Sequence, residues 1–114
     1  MMEVVEVRRN DVLVFSLKGR LDVTSSPAVR DCLQERVDQG ERWFAVDAAG
    51  LSYISNSGLG LLLQIAKQLE KRSGRMVLCA LQEPVRRVLG IAGFMSLFST
   101  FSSWEEAIQD CRRN

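Results

Sequence analysis

The sequence predicts an α/β domain built on a mixed, mostly parallel β-sheet with about four helices, and three observations carry that expectation. Short β-branched and aromatic runs alternate with longer segments of helical periodicity. Two of these runs, "RWFAVDA" and "RMVLCAL", are apolar on both faces, as central strands covered on both sides require. The later strands are joined through helical segments, which makes them parallel and right-handed in their crossovers.

"EVVEVRR" and "VLVFSLKG" are strand-like runs separated by Asn10-Asp11, a pair that tolerates left-handed backbone angles, so a tight hairpin is expected with the first strand at a sheet edge. After Gly19 the period changes. Ala28, Val29, Cys32, Leu33 and Val37 recur at helical spacing, with Ser26 as N-cap, Pro27 at the first helical position and Gly40 past the end. "RWFAVDA" is the next strand. From Gly58 to Arg72, Leu59, Leu62, Leu63, Ala66 and Leu69 mark a second amphipathic helix, which Ser73-Gly74 stops.

"RMVLCAL" follows as a buried strand, and Pro84 to Ala92 as a short helix with Val85, Val88, Leu89 and Ala92 inward, ended by Gly93. "LFSTF" alternates as a last strand. A closing helix begins with a repeated capping pattern, Ser102-x-x-Glu105 and Ser103-x-x-Glu106, and turns Trp104, Ala107, Ile108 and Cys111 inward. The strands are expected near residues 3 to 9, 11 to 18, 42 to 47, 76 to 80 and 97 to 101.

With 114 residues, 46% of them hydrophobic, the chain fits one domain with a sizeable core. Fifteen basic residues against 14 acidic ones give a net charge of +1, so nothing draws the whole molecule to nucleic acid or an acidic membrane. No apolar run approaches the roughly 20 residues of a bilayer span, and the first residues lack signal-peptide character, so a cytoplasmic location is expected. Cys32, Cys79 and Cys111, odd in number and with apolar neighbours, suit core thiols rather than disulfides or a metal site. The absence of histidine excludes Ser-His-Asp triads and mixed Cys/His zinc sites.

The polar stretch "SYISNSGLG" lies between the carboxyl end of the central strand and the second helix, where open α/β sheets place their sites. Ser57 there is a candidate N-cap. A phosphoryl group on Ser57 would also meet free N–H groups and the positive end of the helix dipole. Its glycines are not a phosphate-binding loop, since no Gly-Lys-Ser/Thr follows, and no Gly-x-Ser-x-Gly elbow surrounds the serine. Catalytic residues, cofactor and metal are therefore all absent from the expectation. Leu61 and Ile65 stand off the main stripe of the second helix, which indicates either unusually deep burial or an exposed partner patch. Asp22 reads equally as a turn-forming or capping residue.

"GRLDVTSSPAVRDCL" resembles the Gly-x-Leu-Asp segment and first helix of STAS domains, and "VDAAGLSYISNSGLGLLLQIAKQLEKRSGRMVLCAL" resembles their strand, phosphorylation loop, second helix and next strand. The resemblance spans nearly the whole chain, so residues 1–114 are expected to form one STAS domain. A free-standing domain of this length is most similar to anti-sigma factor antagonists. That resemblance implies a non-enzymatic module that binds an anti-sigma serine kinase and so frees a sigma factor, until phosphorylation of the loop serine ends the binding. A phosphatase would be a further partner.

Carried onto this chain, the resemblance makes Ser57, directly before Gly-Leu-Gly, the phosphoacceptor rather than Ser55, and Asp22 the acid of the Gly-x-Leu-Asp segment. The docking surface would comprise Asp22, Ser55, Asn56, Ser57, Gly58, Leu61 and Ile65. Antagonists often read Asp-Ser-Ser-Gly or Asp-Ser-Thr-Gly where this chain has Ser55-Asn56-Ser57-Gly58, so the loop acid is missing. The alternative the resemblance leaves is a constitutive STAS subunit of a signalling scaffold or lipid-transport complex, with Ser57 as a plain cap.

Overall fold

The structure, a computed structural model, describes residues 2–111. Strands β1 (Met2–Arg9), β2 (Val12–Leu21), β3 (Trp43–Ile54), β4 (Arg75–Cys79) and β5 (Ser99–Phe101) form one sheet in that spatial order. Helices α1 (Ser26–Asp38), α2 (Asn56–Lys71), α3 (Glu83–Ile91) and α4 (Trp104–Cys111) fill the connections. The β1–β2 hairpin is antiparallel and every later pair is parallel, as the alternation of strand and helix requires. Asn10 turns the hairpin at φ 57°, the left-handed angle that asparagine tolerates.

The sheet separates two apolar layers. Phe15, Leu17, Leu21, Phe44, Val46 and Leu51 face a large core shared with α1, α2 and α3, while Val12, Val14, Ala45, Val77 and Cys79 meet Ala107 and Cys111 of α4 on the other side. Among the described residues no helix is long and apolar enough to cross a membrane. Cys79 and Cys111 are buried and Cys32 half-buried. Burial first, then the nearby Asp47 and Glu105 carboxylates, push the Cys79 thiol up to about 11, so it stays protonated at neutral pH.

The second face of α2 corrects the patch expectation. Leu61 (4% exposed) and Ile65 (0%) are buried and form no exposed partner surface. At i+7 and i+11 spacing from Leu61 follow the half-buried Gln68 and the exposed C-cap Arg72, both of which reach a neighbouring element. That neighbour is α1: the Gln68 and Gln34 side-chain amides exchange hydrogen bonds at 2.7 and 2.8 Å, and Arg72 Nη1 donates to the Val37 carbonyl at 2.6 Å. Helix α2 thus buries one stripe on the sheet and a second in its seam with α1.

Smaller differences have local causes. The N-cap position of α1 is Ser25, not Ser26, and the Ser25 side chain makes no capping bond; Ser26 is the first helical residue, and its hydroxyl donates to the Asp22 carbonyl at 2.6 Å. Ala92 is the exposed C-cap of α3 instead of an inward residue, because Gly93 at φ 79° ends the helix one turn beyond Leu89. The last strand is confined to Ser99–Phe101.

Candidate functional site

Strand β4 ends at Cys79, opposite Asp47, while β3 continues for seven residues to Ile54 paired only with β2. The two strands therefore carry a raised extension at their carboxyl ends. Register shifts between Ser16 and Lys18 and between Gly19 and Arg20 let the pair continue past the small residues Ala48-Ala49-Gly50. Only glycine fits at position 50, since a Cβ there would lie 2.6 Å from Lys18 Cγ and 3.2 Å from the Leu17 carbonyl oxygen. The stretch expected as a loop is thus divided between strand, up to Ile54, and helix, from Asn56.

At the tip, α2 is joined directly to this ribbon. The Ser55 amide donates to the Leu21 carbonyl at 2.9 Å, and Ser55, in extended conformation, is the N-cap of α2. Its hydroxyl accepts the Gly58 N–H at 3.2 Å, and its carbonyl accepts the Leu59 N–H at 2.9 Å. This corrects the expectation that Ser57 is the cap. Ser57 lies instead in the first turn, exposed beside exposed Asn56, in a turn without acidic residues. The first amides of a helix lack intrahelical acceptors and carry the positive end of its dipole, so the backbone makes this corner electropositive.

Gly58 makes the join possible. A Cβ on it would lie 2.8 Å from Leu21 Cγ, 2.9 Å from Ile54 Cγ1 and 3.0 Å from the Leu21 carbonyl oxygen, whereas a Cβ on Gly60 meets nothing within 4 Å. The two glycines should respond oppositely to alanine. Gly60→Ala is expected to stabilise by about 0.4–1 kcal/mol through the unfolded chain's lost freedom, and Gly58→Ala to destabilise by roughly 1–3 kcal/mol through overpacking. Urea denaturation of both variants checks the pair. Ser55→Ala should lower stability by about 0.5–2 kcal/mol, the usual loss with an N-cap, and Ser57→Ala should leave it unchanged.

Asp22 and Val23 occupy the neighbouring connection between β2 and α1. Asp22 Oδ1 accepts the amides of Thr24 and Ser25, both at 3.1 Å, and the Asp22 amide donates to Ser25 Oγ at 3.0 Å. Ser25 Oγ donates in turn to the Arg20 carbonyl at 2.7 Å. The backbone hydrogen bond from Ser25, ahead of that from Thr24, holds the Asp22 carboxyl below its ordinary range. Val23 is 72% exposed at the tip of this turn. Close by in the ribbon, the Arg20 guanidinium lies 4.1 Å from the centroid of the half-exposed Tyr53 ring.

The structure therefore brings Asp22, Ser55, Asn56, Ser57 and Gly58 to one end of the sheet and removes Leu61 and Ile65 to the interior. Val23 and the Arg20–Tyr53 stack at that end went unread in the sequence; the available signal for Val23 was a β-branched residue inside an otherwise polar turn. Among the described residues no group of three or more Asp, Glu and Cys side chains is arranged to hold a metal ion.

Comparison with known proteins places this arrangement. The STAS domain family profile matches residues 3–107. A protein named as an anti-sigma factor antagonist, BtrV of Bordetella bronchiseptica, is 38% identical over 96 residues, covering 84% of this chain and 83% of its own. The solved structure of the anti-sigma factor antagonist SpoIIAA in its unphosphorylated form superposes with a TM-score of 0.82 at 27% identity, over 98% of this chain and 96% of that one. The phosphorylated form of the Bacillus cell fate determinant SpoIIAA gives 0.74 at 26% identity, over 98% and 100%. The chain belongs to the STAS domain family, among the anti-sigma factor antagonists.

Proposed function

We propose that this protein is an anti-sigma factor antagonist that sequesters an anti-sigma serine kinase, frees a sigma factor, and is switched off by phosphorylation of Ser57. The observation that carries the reading is the division of labour between two serines. Ser55 caps α2, so the Ser57 hydroxyl, exposed on the first turn, is not needed to hold the helix and is open to a kinase. A phosphate there would face uncapped amides and the helix dipole, which accommodate its charge without unfolding the domain.

The missing loop acid is a departure from the resembled family that leaves the acceptor serine in place. Position 55, where related antagonists often carry aspartate, here performs the capping with a neutral hydroxyl, and the first turn holds no carboxylate to repel a phosphoryl group. That SpoIIAA exists in unphosphorylated and phosphorylated forms supports the proposal by kinship.

Affinity purification of the tagged protein from its native cells, with identification of the bound proteins, tests the functional class. Recovery of an anti-sigma factor with a serine-kinase domain is the expected result. Recovery of scaffold or membrane-transport subunits instead would assign the chain to the constitutive role.

A further inference from the structure

We propose that β1 is an assembly edge, pairing antiparallel with β1 of a second copy of this chain across a two-fold axis, in the register that sets Glu3 opposite Arg9 of the other copy. The pairing joins two five-stranded sheets into one and does not depend on the antagonist reading. Strand β1 is outermost in the sheet and runs for eight residues, all matched to β2 without a bulge. It contains no proline, and among the described residues no backbone hydrogen bond joins it to any element other than β2. A regular edge of this length is a template for another strand.

Its side chains divide by face. Arg9 and Val7 lie opposite Val12 and Val14, so the odd residues share the α4 face of the sheet, while Met2 and Val4 pack against the larger core on the other face. The two-residue loop closes on a hydrogen-bonded pair, Arg9 with Val12, and the alternation of antiparallel pairing then turns the N–H and C=O groups of Val4, Glu6 and Arg8 outward. A further strand would bond to these groups.

Charged side chains commonly guard a sheet edge, and β1 carries four of them. Here they are sorted by sign. Glu3 and Glu6 precede Arg8 and Arg9, so a second copy in parallel register would set like charges together, whereas an antiparallel copy sets opposite charges together. A two-fold axis perpendicular to the sheet keeps each face on its own side, so odd residues meet odd residues. With Glu3 opposite Arg9, Val5 stands opposite Val7 on the same face, and both contacts occur twice by symmetry. The result is an apolar centre between two ion pairs. Val5, 47% exposed in the single chain, is covered by it. Arg9 is already oriented on that face, its guanidinium 5.2 Å from the centroid of the Trp104 ring.

On the core face the axis brings the two Glu6 side chains together. Each is neutralised within its own chain, since Arg36 Nε donates to the two Glu6 oxygens at 3.0 and 2.8 Å and Arg36 Nη2 lies 2.7 Å from Oε2. Arg8, opposite Val4, keeps its ion pair with Glu41. Exposed ion pairs contribute little affinity in water, so Glu3 and Arg9 set orientation and register while the backbone ladder and the valines hold the copies together. Strand β2 separates β1 from β3, which leads to α2, so the Ser57 corner lies outside the paired edge.

Sedimentation equilibrium of the full chain tests the pairing, with the wild type, Glu3→Arg, Arg9→Glu, an equimolar mixture of these two variants, and Lys67→Glu at an exposed position of α2. The wild type should pass from monomer to dimer mass as concentration rises. Each reversal creates two like-charge pairs in its homodimer and should weaken it by about 10-fold or more. The mixture should dimerise as the wild type does, because each mixed pair again sets opposite charges at both positions, a rescue that a damaged fold would not give. Lys67→Glu should have no effect. By NMR, the wild-type amides of Val4, Glu6 and Arg8 should exchange more slowly as concentration rises.

A wild type that stays monomeric up to about 1 mM, the range of the weakest complexes, overturns the pairing. So does a dimer that neither reversal weakens, or a mixture that associates no better than its components. If Arg9→Glu does not fold once it leaves Trp104, Glu3→Arg and the three amides decide; wild-type dimerisation by Glu3→Arg, or amide exchange independent of concentration, then overturns it.

Discussion

Ser57→Asp is expected to weaken binding to the anti-sigma protein by at least about 30-fold, because a charge buried at an interface without a partner costs about 2–5 kcal/mol. The fold should be indifferent to the same substitution. Ser57 is exposed in the first turn of α2 and does not cap it, and an acid at a helix N-terminus is stabilising by about 0.3–1 kcal/mol. The melting temperature should therefore hold or rise slightly while affinity collapses. Calorimetric titration beside a thermal melt separates the two quantities. A fall of several degrees in melting temperature would mean that Ser57 supports the helix after all, and loss of binding could then not be assigned to the switch.

Ile65→Ala should show the reverse pattern. Its side chain is fully buried in the seam between α2, the sheet and α1, so truncation is expected to destabilise by about 2–5 kcal/mol, the range for large-to-alanine changes in a packed core. For a domain of this size that lowers the melting temperature on the order of 10 °C or more. Leu61→Ala should behave similarly, since Leu61 is buried in the same core cluster. The folded fraction of both variants should bind the anti-sigma protein with unchanged affinity. Melting curves and titrations well below the transition check this; weakened binding by a stable Ile65→Ala protein would revive the partner patch.

The order of strands and helices along the chain was legible because its signals are local. Asn10-Asp11 announced the hairpin, and biapolar runs such as Trp43 to Asp47 announced strands with helices on both sides. The full length of β3 was not legible. Ala48-Ala49-Gly50 reads as a break, and only pairing with β2, with the close approach of Lys18 to Gly50, carries the strand on to Ile54. That longer strand moves the helix start back by two residues and transfers the cap from Ser57 to Ser55.

Leu61 and Ile65 show a different limit. Their spacing reveals that α2 has a second apolar stripe, but periodicity does not say which neighbour covers it. The partner emerges only through contacts distant in sequence, Gln34 with Gln68 and Val37 with Arg72. The same holds for Asp22, whose capacity to form a turn is a property of the residue type, while the prominence of Val23 follows from how that turn sits on the end of β2. Ser57 became the candidate acceptor by position and by family resemblance, and the geometry adds that its side chain is exposed while Ser55 caps α2.

The most direct test of the switch is to incubate the protein with its copurified anti-sigma kinase and ATP, map the phosphate by mass spectrometry, and titrate the modified protein against the kinase. The expected result is phosphate on Ser57 in the wild type and in Ser55→Ala, none in Ser57→Ala, and loss of binding by the phosphorylated form. Phosphate on Ser55 alone, or no phosphate on either serine together with unchanged affinity in Ser57→Asp, would contradict the account.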